Sequence, residues 1–244
     1  MNVLTPQTPE AWNAYVRSFA GWDIYYLCEY AVSLELHGDG EPLLLCFEHG
    51  AERMCYVVMR NDIADDPRFH GLLPAGRLFD LETPYGYGGP LTDAPLSPEA
   101  QQIFMEELRD YCLEQRIVTQ FLRYHPLLDN HGAVAPMTDT RYLRDTIYMD
   151  TASPELILAN MDSKNRNMVR KAQRSGVTVR EAPMSEYAPF LELYRQTMDK
   201  HSAEDYYTFG TSYFDYLSEQ LSDQAFLLYA ELEETPISGA IFFH

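Results

Sequence analysis

Apolar residues recur along this chain with two periods, and the places where the period changes mark out its elements. Trp12, Tyr15, Val16 and Phe19 fall at three- and four-residue spacing, which puts them on one face of a helix. Ile103, Phe104, Leu108, Tyr111 and Cys112 repeat that pattern and predict a long amphipathic helix running to about Arg116. Three starts carry the same local signal: Thr8 before Pro9, Ser97 before Pro98 and Ser153 before Pro154. A hydroxyl at the N-cap accepts from an otherwise unpaired backbone N–H, and proline at the first helical position has no N–H to leave unpaired. A further helix begins at Asp162, runs through Lys171 and ends at Gly176, a C-terminal cap. Two more are predicted over about 185–201 and 211–221.

β-Branched and aromatic runs predict the strands. Segments 43–48 and 54–60 flank a turn at 49–52 and form a hairpin. A strand at 118–125 follows the long helix, with shorter ones at 146–150 and 177–180. Segments 225–232 and 237–243 form a second hairpin around 233–236. The order of elements repeats: 22–59 and 213–244 each read as an aromatic-rich helix, a strand, an acidic turn and a strand. The expected fold is therefore α/β (α+β), with two lobes, 1–144 and 145–244, of mixed sheets flanked by helices. On the usual lengths of loops and helices in such units, the second lobe stops short by roughly 60–80 residues. The final ISGAIFFH, an apolar strand with nothing to cover its edge, adds to the expectation of a fragment or degenerate member with little activity alone.

Composition narrows the class. The 244 residues carry a net charge of −19, which repels polyanions at long range and argues against broad nucleic-acid binding. Six of the 18 basic residues lie between Lys164 and Arg180, so an anionic partner is expected there if that face is more than solvated surface. No run approaches the ~20 apolar residues of a membrane span, and the N-terminus lacks the basic-then-apolar order of a signal peptide. Cys28, Cys46, Cys55 and Cys112 have no CxxC spacing, so neither a zinc nor a disulfide framework is expected. A reduced, cytoplasmic setting follows.

Three segments can carry chemistry. Thr83–Pro90, TPYGYGGP, holds too many glycines and prolines for a helix or a central strand. Its glycines, Gly88 and Gly89 among them, permit close backbone approach to a ligand, and Tyr85 and Tyr87 offer flat faces and hydroxyls; a structural turn with packed tyrosines accounts for it equally. It has neither phosphate-loop pattern. In 162–179, DSKNRNMVRKAQRSGVTV, Arg166 and Arg170 share a helix face with Lys171 and Arg174 beside it. Guanidinium forks suit phosphate or carboxylate, and pyrophosphate, a UDP-sugar, CoA and an RNA backbone all fit. In 198–209, MDKHSAEDYYTF, His201 could serve as a general base, and Tyr206 and Tyr207 could orient a substrate. No nucleophile triad, metal cluster or carboxylate pair has a persuasive spacing.

TPYGYGGP, then KNRNMVRKAQRSGVTV, then YRQTMDKHSAEDYYTF, in this order, resemble the Fem family: the non-ribosomal aminoacyl transferases that build peptidoglycan cross-bridges, and their acetyltransferase-like relatives in the GNAT superfamily. The resemblance covers roughly residues 22–244. It implies tandem GNAT-like lobes with a cleft between them, and transfer from aminoacyl-tRNA or an acyl thioester onto an amine, in the cross-bridge enzymes that of a peptidoglycan precursor peptide. It implies that Lys164, Arg166, Arg170 and Lys171 face an anionic substrate and that Tyr85, Tyr87, Gly88 and Gly89 shape the first lobe's side of the cleft. Tyr206 and Tyr207 match a tyrosine-rich stretch of relatives. The resemblance implies no permanently bound cofactor and a donor that is aminoacyl-tRNA or acyl-CoA. Two departures bear on this: the long charged coiled-coil insertion of tRNA-using members is absent, and the second lobe ends before a GNAT pyrophosphate loop would form. A non-catalytic binding module on the same scaffold and an acetyl-CoA-dependent N-acetyltransferase stand as alternatives; DNA binding is excluded by charge and the lack of a recognition-helix motif.

Overall fold

A computed structural model describes residues 1–134 and 138–244. Two compact units make up the chain, one of residues 1–141 with 210–221, the other of 142–209 with 222–244.

The first unit is built on the predicted hairpin. Strands β2 (Glu41–His49) and β3 (Glu52–Asp62) pair antiparallel through a two-residue turn, with Gly50 at φ +62. Short β1 (Asn2–Leu4) lies on the outer side of β2, and β4 (Phe79–Glu82) lies on the other side of β3. β5 (Leu91–Thr92) also pairs with β3, and β6 (Ile117–Phe121) runs parallel to β4. The parallel pair needs a crossover, which α3 (Pro98–Gln115) supplies between β5 and β6. The alternation of side chains along β2 and β3 then sorts the core. Leu43, Leu45, Phe47, Met54, Tyr56 and Val58 share a buried cluster with Ala100 and Phe104 of α3. Helix α2 (Cys28–Glu35) packs against β2 and β3, and α1 (Pro9–Arg17) packs on α2. Trp12 is fully buried and its indole N–H reaches the carbonyl of Tyr26 at 2.8 Å, fixing the short 3-10 turn Ile24–Tyr26.

The second unit carries a three-stranded antiparallel sheet, β7 (Thr178–Pro183), β8 (Ala225–Leu232) and β9 (Thr235–Phe243). Its helices are α4 (Pro154–Asn160), α5 (Ser163–Arg174) and α6 (Ala188–His201). Helix α7 (Thr211–Gln220) belongs to the first unit, where it packs on α2. The β8–β9 turn has both central residues in the left-handed region, Glu233 at φ 50 and Glu234 at φ 61, a type I′ geometry that favours Asn and Gly.

The predicted caps mostly form. Ser97 accepts from the N–H of Ala100, Ser153 from that of Leu156 and Asp162 from that of Asn165, at 3.0–3.2 Å. Thr8 makes no such bond; its hydroxyl turns back to the carbonyl of Thr5. Gly176, at φ +85, closes α5 as expected. The expected strand at 146–150 does not form: the segment has no regular structure and pairs with no strand among the described residues. Its Ile147 is 96% exposed. The β-propensity of Thr146–Ile147–Tyr148 describes fit to a pleated, half-buried surface, and here no neighbouring strand supplies one. The strand expected over 118–125 ends at Phe121 and continues only as a single parallel bridge between Gly88 and Tyr124.

Candidate functional site

On the first unit, the glycine-rich loop is held from several sides. Thr83 donates its N–H to the carbonyl of Phe121 and accepts from the N–H of Arg123, both at 3.0 Å, and Gly88 donates to the carbonyl of Arg123 at 3.0 Å. Two glycines are demanded by the packing. At Gly86, φ +107, a Cβ would lie 2.5 Å from Cε1 of Tyr25; at Gly89, φ +87, it would lie 2.9 Å from the ring of Tyr124 and 3.0 Å from Nδ2 of Asn130. Tyr85 is exposed, and its carbonyl accepts from the hydroxyl of Tyr30 at 2.8 Å. Tyr87 is half-buried and meets Tyr25 and His125 edge-on, each at 5.8 Å between ring centres.

Beneath the loop lies a polar hub that pattern reading did not find. Asn130, 8% exposed, accepts from the N–H of His125 at 3.0 Å and donates to the carbonyl of Gly88 at 2.8 Å and to the hydroxyl of Tyr26 at 3.3 Å. His125 is equally buried. Its Nδ1 accepts from the N–H of Leu127 at 3.2 Å, and a backbone N–H only donates, so the ring proton resides on Nε2. Nε2 then donates to Asp23 Oδ2 at 2.8 Å, while Asp23 Oδ1 accepts from the N–H of Tyr25 at 2.9 Å. With both nitrogens engaged, His125 fixes geometry. Burial raises the Tyr25 phenol above its ordinary range, followed by the charge of Asp23. No local signal marks this hub, because bonded partners such as Tyr26 and Asn130 lie 104 residues apart; only the aspartate before Ile24–Tyr25–Tyr26 hints at the 3-10 turn it caps.

On the second unit, α5 has no buried residue. Lys164, Arg170, Lys171 and Arg174 form no ion pair among the described residues. Asn167, Arg170, Gln173 and Arg174 line a shallow, open hollow. Arg166 differs: its guanidinium turns back onto the carbonyls of Leu158, at 3.2 Å, and Met161, closing the C-terminal end of α4. Arg166 and Arg170 therefore do different jobs, although their spacing puts them on one face. Tyr206 and Tyr207 stand edge to face at 5.3 Å in a 3-10 turn, both exposed, and the carbonyl of Tyr207 accepts from the hydroxyl of Tyr194. His201 is exposed in the last turn of α6.

Among the described residues, no group of three or more His, Cys, Asp or Glu is placed to hold a metal ion, and no helix is long and apolar enough to cross a membrane.

Compared with known proteins, the chain matches the FemAB family over residues 129–235, the stretch that holds α5 and the Tyr206–Tyr207 turn. No match is found among curated proteins. Among solved structures it is similar to the crystal structure of FemX, with a TM-score of 0.54 and 15% identity over 95% of this chain and 58% of that one. The chain thus spans little more than half of FemX, and at this identity the likeness concerns the fold. The resemblance to Fem-type peptidoglycan cross-bridge transferases read from the sequence is borne out: residues 129–235 carry the FemAB pattern, on a mixed α/β chain whose fold is similar to that of FemX.

Proposed function

We propose that the protein is a Fem-type acyltransferase that moves an aminoacyl or acyl group from an activated ester or thioester onto an amine. The acceptor class is a peptidoglycan precursor peptide, and the donor is aminoacyl-tRNA or acyl-CoA. The observation that carries this is the cationic face of α5, whose Lys164, Arg170, Lys171 and Arg174 have no carboxylate partner among the described residues, lying inside the FemAB-matched segment. In a protein of net charge −19, cations left without carboxylate partners on one helix favour an anionic substrate, whose phosphates the guanidinium of Arg170 can grip bidentately. Lys164, Lys171 and Arg174 add to the same field, and Arg166 supports it by fixing the α4–α5 junction.

The reaction needs no enzyme nucleophile. The neutral amine nitrogen attacks the carbonyl carbon, and the C–O or C–S bond to the donor breaks as the tetrahedral oxyanion collapses. The nitrogen gives up its proton, and the departing alkoxide or thiolate takes one up. Positioning of both substrates supplies most of the acceleration, since oriented reactants gain the advantage of high effective molarity. On the first unit, Tyr85 and Tyr87 are the proposed substrate-contacting residues, with the buried Gly88 and Gly89 shaping the loop that carries them; on the second unit, Tyr206 and Tyr207 are proposed together with the basic helix. No catalytic base is assigned.

A parallel titration of the purified chain with aminoacyl-tRNA and with acetyl-CoA, at low and moderate salt, tests this. Salt-sensitive binding of either donor, or of a UDP-linked precursor, that is lost in Arg170→Ala supports the reading. Binding of none of the three overturns it.

A further inference from the structure

An amine acceptor arrives mostly protonated at neutral pH, and the first unit offers a place suited to an ammonium. We propose that Asp23, Tyr25, Tyr85 and Tyr87 form a subsite for an alkylammonium group. Asp23 is the charged member. Its two oxygens are pinned by the Tyr25 N–H and the His125 Nε2–H, yet its side chain keeps one third of its exposure. Among the described residues no lysine or arginine pairs with it, and the tautomer assigned to His125 leaves that ring neutral. The carboxylate is therefore held in place with its charge uncompensated. Its N–H partner Tyr25 meets two further rings edge to face, those of Tyr30 and Tyr87, each at 89° to it and at 5.2 and 5.8 Å between ring centres. Tyr25 itself lies over the backbone of Gly86, and the exposed Tyr85 is tied to the cluster through Tyr30. A cluster of perpendicular tyrosine rings next to a fixed carboxylate matches the chemistry of an ammonium, attracted by ring quadrupoles and charge together. A hard metal cation, which needs six or more oxygen ligands, is not served by one carboxylate.

That this ammonium is the acceptor amine rests on the transferase reading; the subsite itself does not. The probe is Nα-acetyl-lysine methylamide, with Nα-acetyl-norleucine methylamide as the uncharged match, read by ligand-observed NMR on the full chain. The lysine probe is expected to bind and the norleucine probe not. Tyr25→Leu and Asp23→Asn should each weaken binding about tenfold, whereas Tyr25→Phe, which keeps the π face, should stay within about threefold. Urea midpoints identify any variant that misfolds, and Tyr87→Leu then takes its place, with the same loss expected. Equal binding of the two probes, or lysine binding unaltered in folded Asp23→Asn, overturns the subsite. Ammonium binding without acyl transfer would leave the subsite standing and remove the transferase reading. Transfer with an acceptor KM unmoved by Asp23→Asn would do the reverse.

Discussion

Replacing Asn130 by alanine should loosen the ground on which the glycine-rich loop sits, and the structure gives the size of the effect. The amide side chain makes three hydrogen bonds, at 3.0, 2.8 and 3.3 Å, to the His125 N–H, the Gly88 carbonyl and the Tyr26 hydroxyl. Its removal leaves a buried donor and a buried acceptor unmet, each costing about 1–3 kcal/mol, while a water entering the small void recovers part. A net loss of about 2–4 kcal/mol is expected for the first unit. With a mid-range urea slope of about 2 kcal/mol per molar, the midpoint should fall by about 1–2 M at unchanged slope, followed by the near-ultraviolet circular dichroism of the buried tyrosines. Asn130→Asp is the sharper companion, since it sets an acceptor against the Gly88 carbonyl and should destabilise at least as much at neutral pH. A midpoint shift in Asn130→Ala smaller than about 0.3 M would refute the claim that this residue carries the loop.

Other consequences follow from particular contacts. Arg166→Ala should lower stability by about 1–2 kcal/mol through the lost carbonyl contacts, whereas Arg170→Ala should leave the urea midpoint within error and weaken anion binding; identical behaviour of the two would contradict their separate placement. Asp80, whose Oδ1 is buried without a hydrogen-bond partner among the described residues, has its carboxyl pushed above its ordinary range chiefly by burial. A carboxyl raised on folding is stabilising while protonated and loses that as pH rises through its folded value, so Asp80→Asn should stabilise the protein at pH 7 and lose that advantage below about pH 4; equal midpoints at pH 7 would refute this. Glu233→Asn with Glu234→Gly should stabilise by about 1 kcal/mol by relieving two left-handed residues, measured by thermal unfolding; no gain would show that the turn carries no strain.

Local signals made most of the fold legible. Hairpins announce themselves through alternation and a short turn, and α3 and α5 through caps and period, because these depend on neighbours in sequence. β1, β4 and β5 were not legible, being two to four residues long and defined only by partners far along the chain. The stretch 146–150 shows the opposite failure, a strand-forming composition with no partner beside it. The site divides in the same way. The TPYGYGGP loop and the basic helix stand out in composition, whereas Asp23, His125 and Asn130 are ordinary residues whose meaning comes from tertiary contact. Spacing also does not show the hydrogen bonds of Arg166 to the carbonyls of Leu158 and Met161, since a guanidinium on the expected face can still fold back to nearby backbone.

Acyl transfer to an amine is tested most directly by mass spectrometry of a UDP-linked peptidoglycan precursor peptide incubated with the protein and either aminoacyl-tRNA or acyl-CoA. One added aminoacyl or acyl mass on the acceptor amine, sharply reduced in Arg170→Ala, is the predicted result. An unmodified acceptor with both donors, from protein that binds them, would contradict the transferase account and leave a binding protein on a Fem-like fold.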